Sequence, residues 1–330
     1  MKQIQACPAC GAEAHQGWPS VVAPFLVERA LRERPPIGHV YQCGCCGLRF
    51  SNIRLNEDEV THLYQAYRGE EYFQCRHRHE PWYSRRMNGD LGGDSKEIQH
   101  RQECLETLLQ ESSVLDRIQT VLDYGGDRGQ FIPAGLLARK WVFEISGVEP
   151  IQGVELITDF VQLANKSFDL VMLCHVLEHV MEPRTFLHEV MTHVTSAGFL
   201  YIEIPLERPH INSVSKNMTI TWYQWLDHHP FCLRIIDFLS TASRMLLGWL
   251  PPLGLLKTSE HVNFFDESSL QALLAAEGFS CLRIETTQER RLAGRIGVVR
   301  CLAVKDEFNR LRMRASPPFG AMETASLSTP

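Results

Sequence analysis

Four cysteines near the N-terminus have the spacing of a metal site. Cys7 and Cys10 form one C-x-x-C pair, Cys43 and Cys46 form a second, and thirty-two residues separate the two pairs. A glycine follows each pair, as a tight metal-binding turn favours. Four thiolates suit tetrahedral Zn²⁺, and a closed shell of sulfurs leaves no position for a substrate. The spacing therefore predicts a structural zinc site within residues 1–55.

The fourth ligand of this site is the least determined. Cys45 could replace a neighbouring cysteine, and His15 or His39 could replace a thiolate. A redox-active dithiol is the competing interpretation, but it requires a thioredoxin-like βαβ context that this segment lacks. The stretch CRHRHEP, residues 75–81, also has the composition of a metal cluster. Its two arginines favour a solvated or phosphate-facing segment instead.

The stretch VLDYGGDRGQF, residues 121–131, has the layout of a nucleotide-binding loop. The dinucleotide pattern G-x-G-x-x-G fails whether counting starts at Gly125 or at Gly126, and the Gly-Lys-Ser/Thr of a phosphate loop is missing. An acid followed by alternating glycines does fit, with Asp123 as the acid and Asp127 in place of one glycine. Aspartate is among the few residues besides glycine that tolerate a positive φ.

With this loop, the chain resembles the class I S-adenosylmethionine-dependent methyltransferases. The resemblance implies that the loop surrounds the methionine end of the cofactor and that the charge of Asp127 faces the cofactor's ammonium group. It places Glu144, nineteen residues after Gly125, on the ribose hydroxyls, with Glu149 as the alternative. The implied cofactor-binding residues are Asp123, Gly125, Gly126, Asp127, Gly129, Glu144, Asp159, Phe160, Cys174 and His175.

The zinc pattern, an aromatic linker and this loop together resemble the zinc-domain methyltransferases of deoxysugar biosynthesis. The resemblance implies a sugar or nucleotide-sugar acceptor and catalytic roles for Glu178, His179 and Tyr72, with Tyr83 as the alternative tyrosine. Those sugar C-methyltransferases usually carry a further C-terminal domain, whereas this sequence stops just after its last predicted strand. An oxygen or nitrogen atom is therefore expected as the methyl acceptor as much as a carbon atom. A bracing role for the Glu-His pair is the competing interpretation, and His261 is a secondary candidate on the same rim.

Alternating strand and helix patterns from Gln119 onward predict an α/β fold. We expect a seven-stranded, mostly parallel Rossmann-like sheet with an antiparallel last strand, as the family implies. Predicted helices cover Phe131–Arg139, Pro183–Val194 and Glu267–Glu277. The segment between the second and third predicted strands is too short for a crossover helix, so we expect an abbreviated loop there. The expected domains are a zinc-binding domain (1–55), an aromatic linker and helix (56–110), a methyltransferase core (111–206 and 260–306), a helical lid insertion (207–259) and a disordered tail (307–330).

The overall composition and the apolar insertion at 207–259 restrict the classes of molecule that the protein is expected to bind. A net charge of −6 argues against nucleic acid, and eleven cysteines without a secretory signal favour the cytoplasm. Ile235, Phe238, Leu239, Ala242 and Leu246 share one helical stripe, which predicts a core or a homodimer face. Weak contact with a membrane surface is the sharper alternative, and stable insertion is not expected. A catalytically degenerate scaffold that acts as a binding protein is the rival to an enzyme.

Overall fold

The computed structural model describes residues 1–305 apart from positions 15, 32, 34, 91, 147, 210–214, 248–249, 252 and 292–293. The predicted tail at 307–330 and the alternative ligand His15 lie outside these residues. None of the helices in the described part of the chain combines the length and hydropathy needed to cross a bilayer.

The N-terminal third is built from short strands and five helices. In chain order these are β1 (Lys2–Gln3), β2 (Gln16–Val22), α1 (Pro24–Ala30), β3 (Gly38–Gln42), β4 (Arg49–Ser51), β5 (Ile53–Arg54), α2 (Glu57–Tyr64), α3 (Glu70–His79), α4 (Arg85–Asp90) and α5 (Ser95–Glu111). A 3₁₀ turn at Leu115–Arg117 follows.

The rest of the described chain alternates strands with helices. Its elements are β6 (Thr120–Tyr124), β7 (Arg139–Phe143), β8 (Val154–Ile157), α6 (Phe160–Leu163), β9 (Phe168–Cys174), α7 (Pro183–Thr192), β10 (Val194–Leu206), α8 (Lys216–Asp227), α9 (Pro230–Leu247), β11 (Lys257–Thr258), β12 (Asn263–Phe264), α10 (Glu267–Ala276), β13 (Phe279–Arg291) and β14 (Gly294–Lys305).

The large sheet has the predicted architecture. Its seven strands lie in the order β13-β14-β10-β9-β6-β7-β8. β8, β7, β6, β9 and β10 pair in parallel, and β14 is antiparallel to both of its neighbours. Six of the seven residues of β9 are buried, as expected where both faces of a parallel sheet are covered. The predicted fold class is confirmed.

The predicted helix at Phe131–Arg139 is wrong. The described backbone there forms turns, and β7 already begins at Arg139. Pro133 has no N–H for an intrahelical bond and disfavours the α conformation of the residue before it. The face that this helix would cover is occupied by α5, whose leucines pack with Ile132 and Leu136. The apolar residues of 131–136 therefore anchor α5 instead of forming a helix of their own.

The other connections follow the sequence more closely. Residues between β7 and β8 form turns and loops, as the short spacing predicted. The helix α10 begins after Asp266, whose side chain accepts a hydrogen bond from the N–H of Ser269 at 2.9 Å. Gly278 follows its end with φ at +78°. Aspartate at an N-cap and glycine past a C-terminus are the two signals that predicted this helix.

The N-terminal sheet is completed by strands from the far end of the chain. Its five strands lie in the order β11-β2-β3-β4-β12. β11 and β12 flank the site loop around Glu260, which lies between the insertion and α10. The insertion helices pack on the same sheet, where Tyr223, Leu226 and Leu233 form a buried cluster with Val21 of β2.

Candidate active site

The glycine loop has a backbone that few residues can adopt. Gly125, Asp127 and Gly129 all have positive φ, at +72°, +57° and +72°. Asp127 therefore occupies the left-handed region that the sequence predicted it would tolerate. Its carboxylate lies 3.4 Å from Nε2 of Gln130.

Gly126 is required for a different reason, which is space. A Cβ added there would lie 2.0 Å from Cγ of Asp123, so no other residue fits without moving that carboxyl group. The loop after β9 closes over the same turn, because a Cβ at Gly125 would lie 3.3 Å from Cγ2 of Val176. The glycine loop and the loop that carries Glu178 and His179 are thus packed against each other.

Asp123 presents a buried carboxyl group to this turn. Its side chain is fully buried, and neither oxygen has a hydrogen-bond partner among the described residues. Burial raises its pKa to about 7, and the charge of Asp127 adds to the rise. Buried carboxyl groups without partners are costly, so this one indicates a donor that belongs to a bound molecule. The group is suited to the cationic end of the predicted cofactor.

The predicted adenosine residues lie beyond the adjacent strands. Glu144 follows β7, and its carboxylate accepts a hydrogen bond from the N–H of Ser146 at 2.9 Å. Asp159 caps α6 by accepting from the N–H of Gln162 at 2.8 Å. The Phe160 ring packs on Phe143 at 5.1 Å between centroids and is 55% exposed. The alternative acid, Glu149, is exposed, and its carbonyl accepts from Nε of Arg128 at 3.0 Å.

Cys174 and His175 close β9 beside the glycine loop. Cys174 is buried, and burial raises the pKa of its thiol well above the usual value. His175 has a positive φ of +59°. Its Nδ1 lies 2.9 Å from Oε1 of Glu178, and its Nε2 lies 3.4 Å from Oε1 of Glu203. His175 is therefore held between two buried carboxylates.

Glu178 and His179 belong to a larger cluster of titratable groups. The rings of His179 and His261 are 4.6 Å apart between centroids in an edge-to-face arrangement. Ligand atoms of Glu178, His179 and His261 lie within 4.8 Å of one another. Nδ1 of His179 lies 3.3 Å from the Tyr64 hydroxyl and 3.2 Å from the carbonyl oxygen of Glu260.

The pKa values of the two histidines of this cluster are shifted in opposite directions. Burial lowers the pKa of His179, and the positive charge of His261 lowers it further. Burial alone would also lower the pKa of His261, but Glu207, at 3.0 Å from its Nδ1, and the nearby carboxylates raise it to about 9. Near neutral pH, His179 is thus uncharged and His261 is a cation. Such pairs separate the roles of base and acid.

The backbone of the same loop is also held by hydrogen bonds from residues 262–263. The carbonyl of Glu178 accepts hydrogen bonds from the N–H of Val262 at 2.8 Å and of Asn263 at 3.1 Å. The Asn263 side chain donates to the carbonyls of Leu177 and Val180. Bracing by β12 and exposure of the His179 imidazole to a substrate are compatible.

Tyr72 lies in the cluster in a supporting position. Its side chain is fully buried, and its hydroxyl donates to Oε1 of Glu260 at 2.6 Å. Arg76 donates to the Tyr72 hydroxyl at 2.7 Å and to Oε2 of Glu260 at 3.0 Å. Burial and the charge of Glu260 raise the pKa of Tyr72, which keeps its proton. The alternative, Tyr83, donates to Asn88 at 3.1 Å.

The sequence reasoning missed Tyr64, Arg76, Glu207 and Glu260. A signal for one of them was present, because the tripeptide Glu-His-Val occurs both at 178–180 and at 260–262. The structure places these two tripeptides side by side, with the N–H of Val262 bonded to the carbonyl of Glu178.

The four predicted zinc ligands converge in a separate cluster of sulfurs. Sγ of Cys7 lies 3.6 Å from Sγ of Cys46, and Sγ of Cys10 lies 3.5 Å from Sγ of Cys43. Tetrahedral Zn²⁺ with bonds of about 2.3 Å would hold its sulfurs about 3.8 Å apart, so the cluster is compatible with zinc. Gly11 and Gly47 turn the chain with φ of +77° and +82°.

The alternative ligands that the structure describes, Cys45 and His39, are not part of this cluster. Cys45 is exposed, and His39 packs on Tyr41 at 5.9 Å between ring centroids. In the stretch 75–81, the described groups also have other partners. Nδ1 of His77 lies 2.9 Å from the carbonyl of Tyr83, and Nε2 of His79 lies 2.6 Å from a carboxylate oxygen of Glu28.

Comparison with known proteins gives one family match. A methyltransferase-domain family model matches residues 96–284, which is more than half of the chain. No curated protein matches the sequence.

Solved structures give distant likenesses. Magnesium protoporphyrin IX methyltransferase from Synechocystis PCC 6803 with bound SAH is 16% identical over 63% of this chain and 83% of that one, with a TM-score of 0.40. The 1,6-didemethyltoxoflavin-N1-methyltransferase of Burkholderia thailandensis is 16% identical over 72% and 91%, with a TM-score of 0.41. Coclaurine N-methyltransferase is 10% identical over 62% and 72%, with a TM-score of 0.39.

Proposed function

Because the chain belongs to the methyltransferase-domain family, which confirms the enzyme class predicted from its sequence, we propose that it methylates a small hydroxylated molecule with S-adenosylmethionine. The main support for a bound cofactor is the buried carboxyl group of Asp123, which has no hydrogen-bond partner among the described residues and lies beneath a turn with three positive φ angles. Asp123 and the loop from Gly125 to Gly129 would hold the methionine end. Glu144, Asp159 and Phe160 would hold the adenosine end.

When bound, the cofactor would supply an electrophilic methyl group on a cationic sulfonium, which leaves as a neutral thioether, so the protein contributes positioning and a base. Nδ1 of His179 contacts the Glu260 carbonyl, which can only accept, and therefore carries the ring proton. Nε2 is then the basic atom that takes a proton from the acceptor. Glu260 and Tyr72 position the loop that supports this ring.

For the acceptor we propose a sugar or nucleotide-sugar, methylated at oxygen, nitrogen or carbon. The rim of the cluster is lined by groups that donate and accept hydrogen bonds. Tyr64 contacts His179, the His179 ring packs on His261, and His261 contacts Glu207. Several such groups on one rim suit a polyhydroxylated molecule better than an apolar one. The resemblance to sugar methyltransferases supports the same class, and a cytoplasmic location is consistent with such precursors.

A structural zinc ion belongs to the same proposal. Cys7, Cys10, Cys43 and Cys46 would bind it, and its chemistry would be to cross-link two turns rather than to react. The short sulfur-to-sulfur distances of the cluster support the assignment.

Calorimetric titration tests the cofactor assignment before any acceptor is known. The protein should bind S-adenosylmethionine and S-adenosylhomocysteine with micromolar affinity, and NAD not at all. Gly126→Ala should weaken binding at least tenfold, because its Cβ would displace the Asp123 carboxyl group. Gly89→Ala is the matched control, since a Cβ there meets nothing within 4 Å.

The rival hypothesis is a degenerate scaffold that binds a partner instead of a cofactor. The turns at 131–138, where a crossover helix was expected, are the observation in its favour. Absence of binding by both sulfur compounds would support this rival and refute the proposal.

A further inference from the structure

The helix α9 carries an apolar surface that is largely exposed among the described residues, although one of its members, Phe238, packs on Trp82 at 5.7 Å between ring centroids. Its outward residues are large and apolar, and we call them the α9 face: Phe231, Ile235, Phe238, Leu239, Leu246 and Leu247. Phe231 is 75% exposed and Leu246 is 82% exposed. A helix on the surface of a globular domain normally turns polar residues outward, so this face indicates a binding surface.

The opposite side of α9 is firmly anchored. Leu233 is buried against β2, and Ser240 accepts a hydrogen bond from the N–H of Leu255 at 2.8 Å. Asp237 is buried and pairs with Lys257 at 3.0 Å. The orientation of the helix is therefore fixed by the fold, and its exposed face follows from that orientation.

The neighbouring helix α8 extends this surface with aromatic residues. Trp222 stacks on Trp225 at 5.2 Å, and Trp225 stacks on His229 at 4.1 Å. Trp225 is 42% exposed, and Met218 is 62% exposed. Tryptophan is enriched where proteins meet the headgroup level of a membrane, because its ring is apolar and its N–H is polar.

The charges around this surface favour an anionic occupant. Among the described side chains of α8 and α9, the exposed charged groups are Lys216 and Arg234, both cationic. The two acids are withdrawn, with Asp237 buried and Asp227 half-buried. This arrangement contrasts with the whole chain, whose net charge is −6. A second copy would bring the same cationic groups and no exposed acid from these helices to pair with them.

We propose that the α9 face and α8 together dock on an anionic phospholipid membrane surface. The apolar residues would enter the boundary between headgroups and acyl chains, while Arg234 contacts lipid phosphates. Lys216 lies at the sheet side of α8, with its ammonium 5.9 Å from the centroid of the Trp18 ring. Docking of this kind is interfacial and reversible, and it requires no helix that crosses the bilayer. The inference does not depend on the reaction proposed above.

A chain of ion pairs connects the docking helix to the candidate active site. Asp237 pairs with Lys257, Lys257 with Glu80 at 2.6 Å, Glu80 with Arg76 at 3.0 Å, and Arg76 with Glu260 at 3.0 Å. The docking helix and the rim of the site are therefore linked by a continuous chain of ion pairs. Docking would fix the orientation of the site relative to the membrane.

Co-sedimentation of the full chain with vesicles tests this proposal. The chain should bind vesicles of phosphatidylglycerol and phosphatidylcholine at least tenfold more strongly than vesicles of phosphatidylcholine alone. The double variant Phe231→Asp, Leu246→Asp should lose at least tenfold of that binding. Arg234→Glu should lower binding to the anionic vesicles and leave the zwitterionic ones unchanged.

Leu137→Asp is the matched control, because Leu137 is 97% exposed in the loop before β7, away from α8 and α9. It should bind the vesicles as the unaltered chain does. A circular dichroism spectrum and a thermal transition like those of the unaltered chain would show that each variant is folded, and these readouts keep this test separate from that of the reaction. Vesicle binding that is absent, or unaffected by the double variant, would overturn the proposal. So would a dimer in light scattering that the double variant converts to a monomer without any vesicle binding.

Discussion

Two similar tripeptides acquire different roles through their surroundings. His179 and His261 each follow a glutamate and precede a valine, yet only His261 has Glu207 at 3.0 Å from its Nδ1. That single carboxylate, with the nearby Glu178 and Glu260, raises the pKa of His261 and leaves His179 as the uncharged member. The two side chains are chemically identical, and the difference in their neighbours leaves His179 uncharged and His261 positively charged near neutral pH.

Titration of the histidine resonances by NMR checks this assignment. His179 should titrate below the usual histidine pKa of about 6.5, and His261 near 9, so the pair carries one positive charge between these values. Glu207→Gln should lower the pKa of His261, because it removes the nearest negative charge. The loss of the His261 cation should then raise the pKa of His179. Two histidines that titrate together near 6.5 in the unaltered protein would contradict the assignment.

At the scale of elements, buried ion pairs join the insertion to the aromatic linker. Lys257 lies between α9 and α3, and its ammonium contacts carboxylates of both, Asp237 and Glu80. All three side chains are less than a tenth exposed. Burial raises the pKa of Glu80, but Lys257 and Arg76 more than offset it, so that its pKa is lowered.

Lys257→Met should therefore be strongly destabilising. It leaves two buried carboxylates without their shared partner, which typically costs about 3–5 kcal/mol of unfolding free energy. Lys2→Met is the matched control, because Lys2 pairs with Glu182 at 3.3 Å on the surface and should contribute less than about 1 kcal/mol. Denaturant unfolding measures both changes. Similar small losses for the two variants would show that the buried network contributes little.

At the scale of the whole molecule, the cysteine cluster is not an independent appendage. β12 pairs with β4, which directly follows the second C-x-x-C pair, and Phe265 and Leu270 pack in the same core as Cys7 and Cys43. The predicted boundary at residue 55 therefore separates segments that share strands and core. The domain division stays a prediction, and the shared core implies cooperative unfolding.

Loss of the proposed zinc ion should accordingly destabilise the entire chain. Cys43→Ser should abolish zinc binding, measured as about one zinc per chain by elemental analysis in the unaltered protein, and should lower the midpoint of a single thermal transition. Cys45→Ser is the control, because Cys45 is exposed and lies outside the four-sulfur cluster. Two separate transitions, with only one responding to Cys43→Ser, would refute the cooperative arrangement.

The sequence predicted correctly those features of the fold that depend on interactions between residues close together in the chain. Alternating strand and helix patterns predicted the α/β fold, caps at Asp266 and Gly278 predicted α10, and the tolerance of aspartate for a positive φ anticipated Asp127. The spacing of two C-x-x-C pairs likewise predicted a cluster whose geometry depends mainly on two tight turns. The prediction of a helix at 131–139 was wrong, because the apolar residues of this stretch pack against the leucines of α5 from a series of turns.

The sequence by itself indicated the α/β class, the glycine loop and the two cysteine pairs, since each is signalled by residues that lie close together in the chain. Only the tertiary structure decided the contents of the candidate site. Glu260 and His261 lie about eighty residues beyond Glu178 and His179, and Tyr64 and Tyr72 lie more than a hundred before them. Their convergence comes from β11 and β12 joining the N-terminal sheet, and long-range pairing of this kind leaves no periodic pattern in the sequence.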